Sequence, residues 1–422
     1  MSSMLSLLIG WRFSQAKRQS TMAKFLSWSS CIGVALGVMV LIIGLSAMNG
    51  FENELKHRVL GVIPNVEFKS VTSKIEEVPT VQEALQDEEN VLGSTPLVVL
   101  NAILSKDALF KGVNVRGVDP DTARSVFNAE EFIEGASFKD LRSENEHQKS
   151  IIVGAQIAEK INAHIGDNIE LVIAKASENG TLNIPTGYVF KVIGIFKIGG
   201  DIDNLMSFID IKDARDILDL KDTEANLLAL KVKDIYQAQA QGFEAAKHIA
   251  HITHTSYYVH SWMLTMGRLY NDIQMIRSIL YLALVLIITV ASFNIVSNLM
   301  MMTNEKRSEV AILLSLGIKK FTIFKSFMTL GLISGGIGIV IGTVLGCFIA
   351  SNLTSIIAVI EQLFGFKLLN SHTYFIDYVP SILKYQDVLL VTGVTLVICL
   401  IATLIPAYFA NRVSPARELS QK

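Results

Sequence analysis

Residues 303–326 read TNEKRSEVAILLSLGIKKFTIFKS and lie between two long apolar runs, residues 278–302 and 327–351. The stretch is short and carries five basic side chains, Lys306, Arg307, Lys319, Lys320 and Lys325. Short loops rich in Lys and Arg stay on the cytoplasmic side of a membrane. The stretch therefore predicts a cytoplasmic loop between two membrane spans.

The same loop has a helical pattern. Val310, Leu313 and Leu314 recur at helical spacing, and Gly317 suits the left-handed conformation that ends a short helix. An amphipathic helix in such a tight loop indicates a partner onto which its apolar face docks. We predict that a cytoplasmic protein pushes on this loop.

Four uncharged apolar runs are long enough to cross a hydrocarbon core of about 30 Å. They comprise residues 25–48, 278–302, 327–351 and 388–410. Segments 1–24, 303–326 and 411–422 hold four, five and three basic residues, whereas the loop 352–387 holds two. This asymmetry predicts that both tails and the 303–326 loop are cytoplasmic, and that the 352–387 loop is on the opposite side.

Residues 49–277, between the first two runs, have the composition of a water-facing domain. Short β-rich runs such as 113–118 and 189–196 alternate there with helix-like stretches such as 156–163 and 212–218. The predicted fold is therefore an α-helical membrane protein with four transmembrane helices plus a large α+β periplasmic domain.

Apolar stripes continue the first two spans into this domain. Phe51, Leu55 and Val59 follow the first span, and Met266 and Ile273 precede the second. We predict that both membrane helices extend beyond the bilayer as a stalk. A stiff helix transmits displacement along its axis, so a stalk can act as a mechanical link.

Composition excludes several functional classes. The net charge of −2 gives no reason to expect nucleic-acid binding. No Gly-rich phosphate loop ending in Lys-Ser or Lys-Thr is present, so the chain carries no recognisable ATPase and no bound nucleotide is expected. The spans lack Asp, Glu, Lys and Arg, which argues against an ion-coupled transporter. Cys31, Cys347 and Cys399 all lie in apolar runs and form no disulfide framework.

Glycines at small-xxx-small spacing mark two spans as helix-packing surfaces. They are Gly33, Gly37, Gly331, Gly335, Gly338, Gly342 and Gly346. Packing within the chain and a subunit interface that slides or opens are both compatible with this pattern.

The histidines at positions 248, 251, 254 and 260 raise the question of a metal site. No nearby Cys or acidic residue completes a ligand set, so solvated surface is the better interpretation and no metal is predicted. The sequence shows no Ser/His/Asp, paired-carboxylate or Cys/His arrangement, and we predict a non-catalytic subunit.

Five long segments, spread over the whole chain, carry a resemblance to a known family. They are LSLLIGWRF, GLSAMNGFENEL, MGRLYNDIQMIRSILYLALVLIITVASFNIVSNL, SEVAILLSLGI and TYFIDYVPS. These segments resemble the permease subunits of lipoprotein-releasing ABC transporters, the LolC/LolE family, which falls within the macrolide-exporter-like (type VII) permeases. Within that family the chain looks most like the E-type (LolE-like) subunit, because its hairpin 175–188 is shorter than the carrier-holding hairpin of the C-type.

The resemblance implies a division of labour in the inner membrane of a Gram-negative bacterium. A dimer of a separate, LolD-like ATPase would bind ATP and Mg and close beneath two permeases, this chain and a LolC-like paralogue. An acylated lipoprotein would enter a cavity between the permeases and pass, through the paralogue, to a LolA-like periplasmic carrier. The helix with Glu309, Val310, Leu313, Leu314 and Gly317 then resembles the coupling helix in the ATPase groove.

Apolar residues at the outer mouth are the predicted lipoprotein contacts. Methionine adapts to varied acyl surfaces, and apolar residues cluster before the second span and in the outer loop. The predicted residues are Met263, Met266, Tyr270, Leu363, Phe364 and Phe366. Ordinary packing of stalk and loop is the alternative interpretation.

Two other functions remain open on the sequence. A related permease could export macrolides or peptides, or transmit ATPase motion to periplasmic cell-wall hydrolases, although the fused ATPase of the macrolide exporter is missing here. A membrane-anchored receptor or scaffold would move nothing. Loss of ATPase stimulation on charging Leu313 and Leu314 would favour the transporter over the scaffold.

Overall fold

The computed structural model describes residues 21–72, 74–142, 148–173, 185–200, 202–367, 369, 376 and 378–411. The chain divides into two compact units. A helical unit falls within residues 1–51, 273–364 and 379–422, and an α+β unit comprises residues 52–272 and 365–378. Most of tail 1–24, tail 411–422 and hairpin 175–188 lies outside the described residues.

The helices, in chain order, range from single turns to 44 residues. They are α1 Thr21–Glu54, α2 Leu60–Val62, α3 Val78–Gln86, α4 Ala123–Val126, α5 Ala155–Lys160, α6 Ile202–Leu205, α7 Ile211–Leu218, α8 Ala238–Thr253, α9 Trp262–Glu305, α10 Arg307–Ser315, α11 Lys320–Ser351, α12 Leu353–Phe364 and α13 Tyr385–Ala410.

The described strands all belong to the α+β unit. They are β1 Val66–Ser70, β2 Val91–Lys106, β3 Leu109–Val118, β4 Ile133–Glu134, β5 Lys149–Gly154, β6 Asn168–Ile173, β7 Thr186–Phe196, β8 Met206–Asp210, β9 Leu227–Val232 and β10 Tyr257–Ser261.

Four described helices are long and apolar enough to cross a membrane, as the apolar runs predicted. They are α1 with its continuation to Val62, α9, α11 and α13. Helix α9 has 44 residues, which corresponds to about 66 Å at 1.5 Å per residue. It begins 16 residues before the predicted span, so the helix continues beyond the apolar run. That this part forms a stalk outside the bilayer stays a prediction.

The helical unit has a continuous apolar core. Its buried side chains include Leu41 of α1, Leu299 of α9, Phe327 of α11 and Cys399 of α13. Lipid tails are as apolar as leucine, so close van der Waals packing rather than hydrophobic burial holds such helices together. Small residues at the contacts between α11 and its neighbours provide that packing.

The α+β unit is built on a ten-stranded sheet, ordered β10-β1-β9-β2-β3-β8-β5-β7-β4, with β6 paired to both β2 and β7. The strands β2, β3, β8, β5, β7 and β6 therefore form a closed circuit of hydrogen-bonded neighbours. The alternating burial along β3 and β7 shows that one face of each strand lines the core and the other faces outward. Both predicted runs, 113–118 and 189–196, are strands.

The core of this unit is aromatic near β8. The ring of Phe208 lies 5.4 Å from that of Phe138 and 5.3 Å from that of Phe196, with all three side chains fully buried.

Strands β2 and β3 are joined at Asp107 and Ala108, which both have positive φ, as a type I′ hairpin turn requires. Long-range pairing of distant strands thus defines a packed α+β domain.

Candidate functional site

Helix α10 lies in the predicted loop and is bounded by recognisable signals. At its start, Nζ of Lys306 donates to Oε1 of Glu309 at 2.5 Å, and Glu309 lies in the first turn, where the helix dipole favours a carboxylate. At its end, Gly317 has φ +90°, and the N–H of Ile318 donates to the carbonyl of Leu313 at 3.2 Å. Gly317 therefore ends the helix as its position predicted.

The face that α10 presents differs from the sequence-based prediction. Val310 and Ala311 are fully buried in the apolar core of the helical unit, and Leu313 and Leu314 pack partly against that core. Val310 was predicted to contact a partner, but its side chain is occupied by packing within its own chain. It positions the helix and presents no surface.

The outward apolar side chains of the loop are Ile312, Leu316 and Phe321, which are 47, 75 and 64% exposed. Phe321 stacks on Phe324 with ring centroids 6.3 Å apart, and Nζ of Lys325 lies 4.8 Å from the Phe321 ring centroid. Ile312, Leu316 and Phe321, together with Glu309, form the surface that we call the loop face. Sequence periodicity missed it because apolar residues occupy nearly every position from 310 to 316.

Five glycines of α11 closely approach neighbouring helices. A Cβ at Gly331 would collide with Thr403 of α13, and one at Gly335 would lie 3.2 Å from Sγ of Cys399. Further along, Gly338, Gly342 and Gly346 meet α1 at Cys31, Ala35 and Met39–Ile42. These five positions thus serve packing within the chain, one of the two alternatives that the sequence left open.

Helices α1 and α9 contact less closely and leave a groove of about 460 Å³ between them. Gly37 touches Ile287, because a Cβ there would lie 2.6 Å from Cγ2 of that side chain, whereas a Cβ at Gly33 would meet nothing within 4 Å. Gly33 therefore makes no close helix contact within the chain and lines an open gap, so its role in helix packing stays a prediction. The groove is lined by Gly33, Leu36, Gly37, Val40, Leu286, Ile287, Val290, Ala291 and Asn294.

A buried asparagine links the ends of three spans through hydrogen bonds. The sequence did not predict these contacts. Nδ2 of Asn49 donates to Oδ2 of Asp387 at 2.5 Å, and its Oδ1 accepts from Nη2 of Arg277 at 2.9 Å. Asn49 lies on α1, Arg277 on α9 and Asp387 on α13. The neighbouring Gly50 could not carry a side chain, because its Cβ would lie 2.5 Å from the carbonyl carbon of Pro380. We call Asn49, Arg277 and Asp387 the three-helix network.

The predicted contacts before the second span lie at the start of α9, in the α+β unit. The ring of Tyr270 lies 5.6 Å from those of both Trp262 and Tyr236, so it packs the base of this helix. Met263 is half-buried, and Met266 lines a separate cavity of the α+β unit. Packing thus accounts for Tyr270, while Met266 borders open space.

The predicted outer-loop contacts are exposed. Leu363 and Phe364, at the end of α12, are 75 and 72% exposed, and Phe366, in the α+β unit, is 48% exposed. That these three residues contact lipoprotein stays a prediction.

The four histidines of the candidate cluster are all exposed. His248 pairs through Nδ1 with Oε1 of Glu88 at 3.3 Å, and His254 has a left-handed backbone at the end of α8. Over the described residues, no group of three or more His, Cys, Asp or Glu side chains is arranged to hold a metal ion.

Comparisons with known proteins match both parts of this architecture. The MacB-like periplasmic core domain family matches residues 27–245, and the FtsX-like permease C-terminal family matches residues 281–415. The lipoprotein-releasing system transmembrane protein LolE of Haemophilus influenzae is 33% identical over 98% of this chain and 98% of that protein. The chain belongs to the LolC/LolE family.

Other members of the LolC/LolE family show the same coverage. LolC of Neisseria meningitidis is 31% identical over 98% of this chain and 99% of that protein. LolC of H. influenzae is 28% identical over 98% of both chains. Of the two H. influenzae paralogues, the chain is thus more similar to LolE. Four apolar helices and a MacB-like domain also make it a type VII ABC permease.

Proposed function

We propose that this chain is the permease subunit of an ATP-driven complex that extracts acylated lipoproteins from the outer leaflet of the inner membrane. The complex then passes them to a periplasmic carrier. Membership of the LolC/LolE family supports the cargo class. The basic loop 303–326 supports cytoplasmic termini and a periplasmic α+β unit.

The groove between α1 and α9 is the observation that carries this proposal. Its walls are apolar except for the single amide of Asn294, and Leu36, Val40, Leu286 and Val290 are exposed along it. A groove within two membrane spans that lacks any charged side chain suits a hydrocarbon chain and disfavours an ion. Lateral entry of an acyl chain from the bilayer needs such an opening.

Extraction of acyl chains requires an energy source. Each buried CH₂ contributes about 0.8 kcal/mol, so a chain of about 16 carbons holds the anchor with roughly 13 kcal/mol. Such a lipoprotein does not leave the membrane spontaneously. Because the sequence has no phosphate-binding loop, the energy must come from a partner.

The partner in this proposal is a LolD-like ATPase dimer that binds ATP and Mg. The loop face is its docking surface, with Ile312, Leu316 and Phe321 in the ATPase groove and Glu309 beside them. The buried Val310 transmits the movement, because it ties α10 to the core of the helical unit. A LolC-like paralogue completes the complex, and a LolA-like carrier receives the cargo through that paralogue.

Additional cargo contacts belong to this proposal. Leu363, Phe364 and Phe366 are exposed apolar residues, and Met263 and Met266 are flexible side chains at the start of α9. Methionine and phenylalanine adapt to acyl surfaces without needing a fixed geometry. Their truncation should weaken cargo binding without changing basal ATP hydrolysis.

The proposal is tested by reconstituting the chain with its ATPase and paralogue in proteoliposomes that contain an acylated lipoprotein. Leu36→Trp and Val290→Trp fill the groove and should reduce ATP-dependent release about tenfold or more, with basal ATP hydrolysis retained. Leu389→Trp, at an exposed position of α13 outside the groove, is the matched control. Release at the wild-type rate by both groove variants would contradict the role of the groove. ATP-dependent activation of a cell-wall hydrolase without release would contradict the proposed function.

A further inference from the structure

The α+β unit contains a second, partly open cavity of about 290 Å³. It lies against β1, β3 and β8, helix α6 and the first turns of α9, and all its lining residues belong to the α+β unit. Its apolar walls include Ile63, Ile202, Leu205, Met206, Trp262 and Met266. Apart from Met266, none of its lining residues has a role in the proposed function.

An ion pair forms the polar part of the wall. Nη1 of Arg116 lies 3.1 Å from Oε1 of Glu67, and the two side chains are only 12 and 21% exposed. Burial lowers the pKa of Arg116, and Glu67 opposes this effect. The two residues come from β3 and β1, which are separated in the sheet by β9 and β2.

Several polar atoms of this wall are poorly satisfied. Nε of Arg116 and Oγ of Ser261 are buried and have no hydrogen-bond partner in the described part of the chain. Nη1 of Arg116 and Oε1 of Glu67 have only each other, at 3.1 Å. Buried polar groups in folded proteins are almost always hydrogen-bonded, and an exception requires an explanation. A small local adjustment together with an occupant of the cavity would satisfy these atoms.

The chemistry of the wall selects the occupant. The guanidinium supplies N–H donors and the carboxylate supplies acceptors, and their charges offset each other. A free anion would be repelled by Glu67 and a free cation by Arg116, while a bare hydrocarbon chain would leave every polar group unsatisfied. A peptide group offers a C=O acceptor and an N–H donor side by side, and the apolar walls suit a neighbouring apolar side chain.

The size of the cavity agrees with this choice. Its volume is far larger than the roughly 30 Å³ share of one water molecule, and it is close to the lower bound, about 300 Å³, of pockets for small ligands. One or two residues of an extended peptide therefore match it better than a folded domain or a complete acyl chain.

We propose that this cavity binds a short, uncharged, extended peptide segment through its backbone and one apolar side chain. This inference rests on the proposed function, because the source of the segment is the polypeptide that follows the acylated cysteine of the lipoprotein cargo. The cavity then binds the polypeptide part of the cargo, and the groove between α1 and α9 binds the lipid part. Met266, a cargo contact in the proposed function, then contacts the peptide part of the cargo.

The test uses the full-length chain in lipid nanodiscs and the blocked peptide acetyl-Ser-Gly-photoleucine-Gly-Ser-amide. Photolysis should label the fragment that contains Trp262–Met266, and the labelling should saturate. The double variant Arg116→Met with Glu67→Leu replaces both charges, a change that folded proteins tolerate, and should reduce labelling about tenfold or more. The matched control is Arg124→Met with Glu130→Leu, which removes a more exposed pair of the same unit, with Nε and Oε2 2.8 Å apart.

A second variant keeps the test independent of the ion pair. Leu205→Trp reduces the free volume without removing a charge, and it should also lower the labelling. Three results would overturn the proposal: wild-type labelling that does not saturate, labelling that maps outside the cavity, or equal labelling of the wild type and both cavity variants. The cavity would then hold only water.

Lipoprotein release measured on the same preparations separates this inference from the proposed function. Release by the wild-type complex without cavity labelling would refute the peptide site alone. Saturable cavity labelling without ATP-dependent release would refute the proposed function, and with it the cargo as the source of the peptide.

Discussion

Replacement of Asn49 by leucine should destabilise the helical unit and uncouple its spans. The Asn49 side chain is buried and is hydrogen-bonded to Arg277 of α9 and Asp387 of α13. Leucine has a similar size but can neither donate nor accept. The change therefore removes the links of the three-helix network while leaving the apolar packing of α1 in place.

The magnitude follows from the bonds that are lost. Both strong bonds of Asn49 involve a charged partner, at 2.5 and 2.9 Å, and a third to the carbonyl of Ile382 is long at 3.4 Å. A hydrogen bond to a charged group contributes about 1.5–3 kcal/mol. Arg277 and Asp387 are half-buried and can regain water, so the lower end applies to each bond. We expect a loss of about 3 kcal/mol in the free energy of unfolding of the helical unit, or roughly 6–12 °C in its melting temperature.

The assay is thermal unfolding of the purified chain in detergent, together with reconstituted lipoprotein release. Asn352→Leu is the matched control, because the side chain of the exposed Asn352 makes one hydrogen bond, to the carbonyl of Phe348 in the adjoining helix α11. It should change stability by about 0.5 kcal/mol or less. Asn49→Leu should also reduce release more than ATP hydrolysis. Equal melting temperatures for Asn49→Leu and Asn352→Leu would refute the network as a stabilising link.

Three further predictions concern other elements. Val310→Ala removes buried volume from the core and should lower the free energy of unfolding by about 1–3 kcal/mol. An unchanged stability in thermal unfolding would contradict core packing of Val310 and favour its predicted contact with the partner. Gly342→Leu should prevent α11 from packing on α1, so the variant should fail to co-elute with the ATPase and the paralogue on size-exclusion chromatography. A side chain at position 393 would meet open space, so Gly393→Leu should form the complex normally. Nζ of Lys106 donates to Asp167 at 2.7 Å and, with the backbone N–H of His164, lowers the pKa of Asp167 in the folded protein. The ionised Asp167 therefore stabilises the fold above the ordinary aspartate pKa of about 3.8, and this contribution disappears as pH falls through the lower pKa of the folded state. Lys106→Met should therefore weaken the acid dependence of the melting temperature, and an unchanged dependence would exclude this pair.

Local patterns predicted the membrane elements. Apolar length and charged flanks located the four spans, and an unbroken apolar stripe before residue 278 predicted the extension of α9. Gly317 marked the end of α10 because a positive φ there favours glycine. These features depend on a few neighbouring residues, which a sequence displays directly.

Features that depend on distant residues were not predictable in this way. Asn49 and Asp387 are 338 positions apart, and no local pattern indicates that they meet. The Arg116–Glu67 pair likewise depends on the order of strands in the sheet. The face of α10 was mispredicted because its apolar residues surround most of the helix, and only the packing of Val310 and Ala311 decides which side remains exposed.

The most direct test of the proposed function is photocrosslinking in the groove. A photoactivatable residue at Val290 of the complete complex should crosslink to an acylated lipoprotein in the absence of ATP, and the crosslink should decrease when ATP is added. The same residue at Leu389, and a cargo whose acylated cysteine is replaced by serine, should give little product. Absence of the Val290 crosslink, or equal crosslinking from Leu389 or to the unacylated cargo, would contradict extraction through the groove.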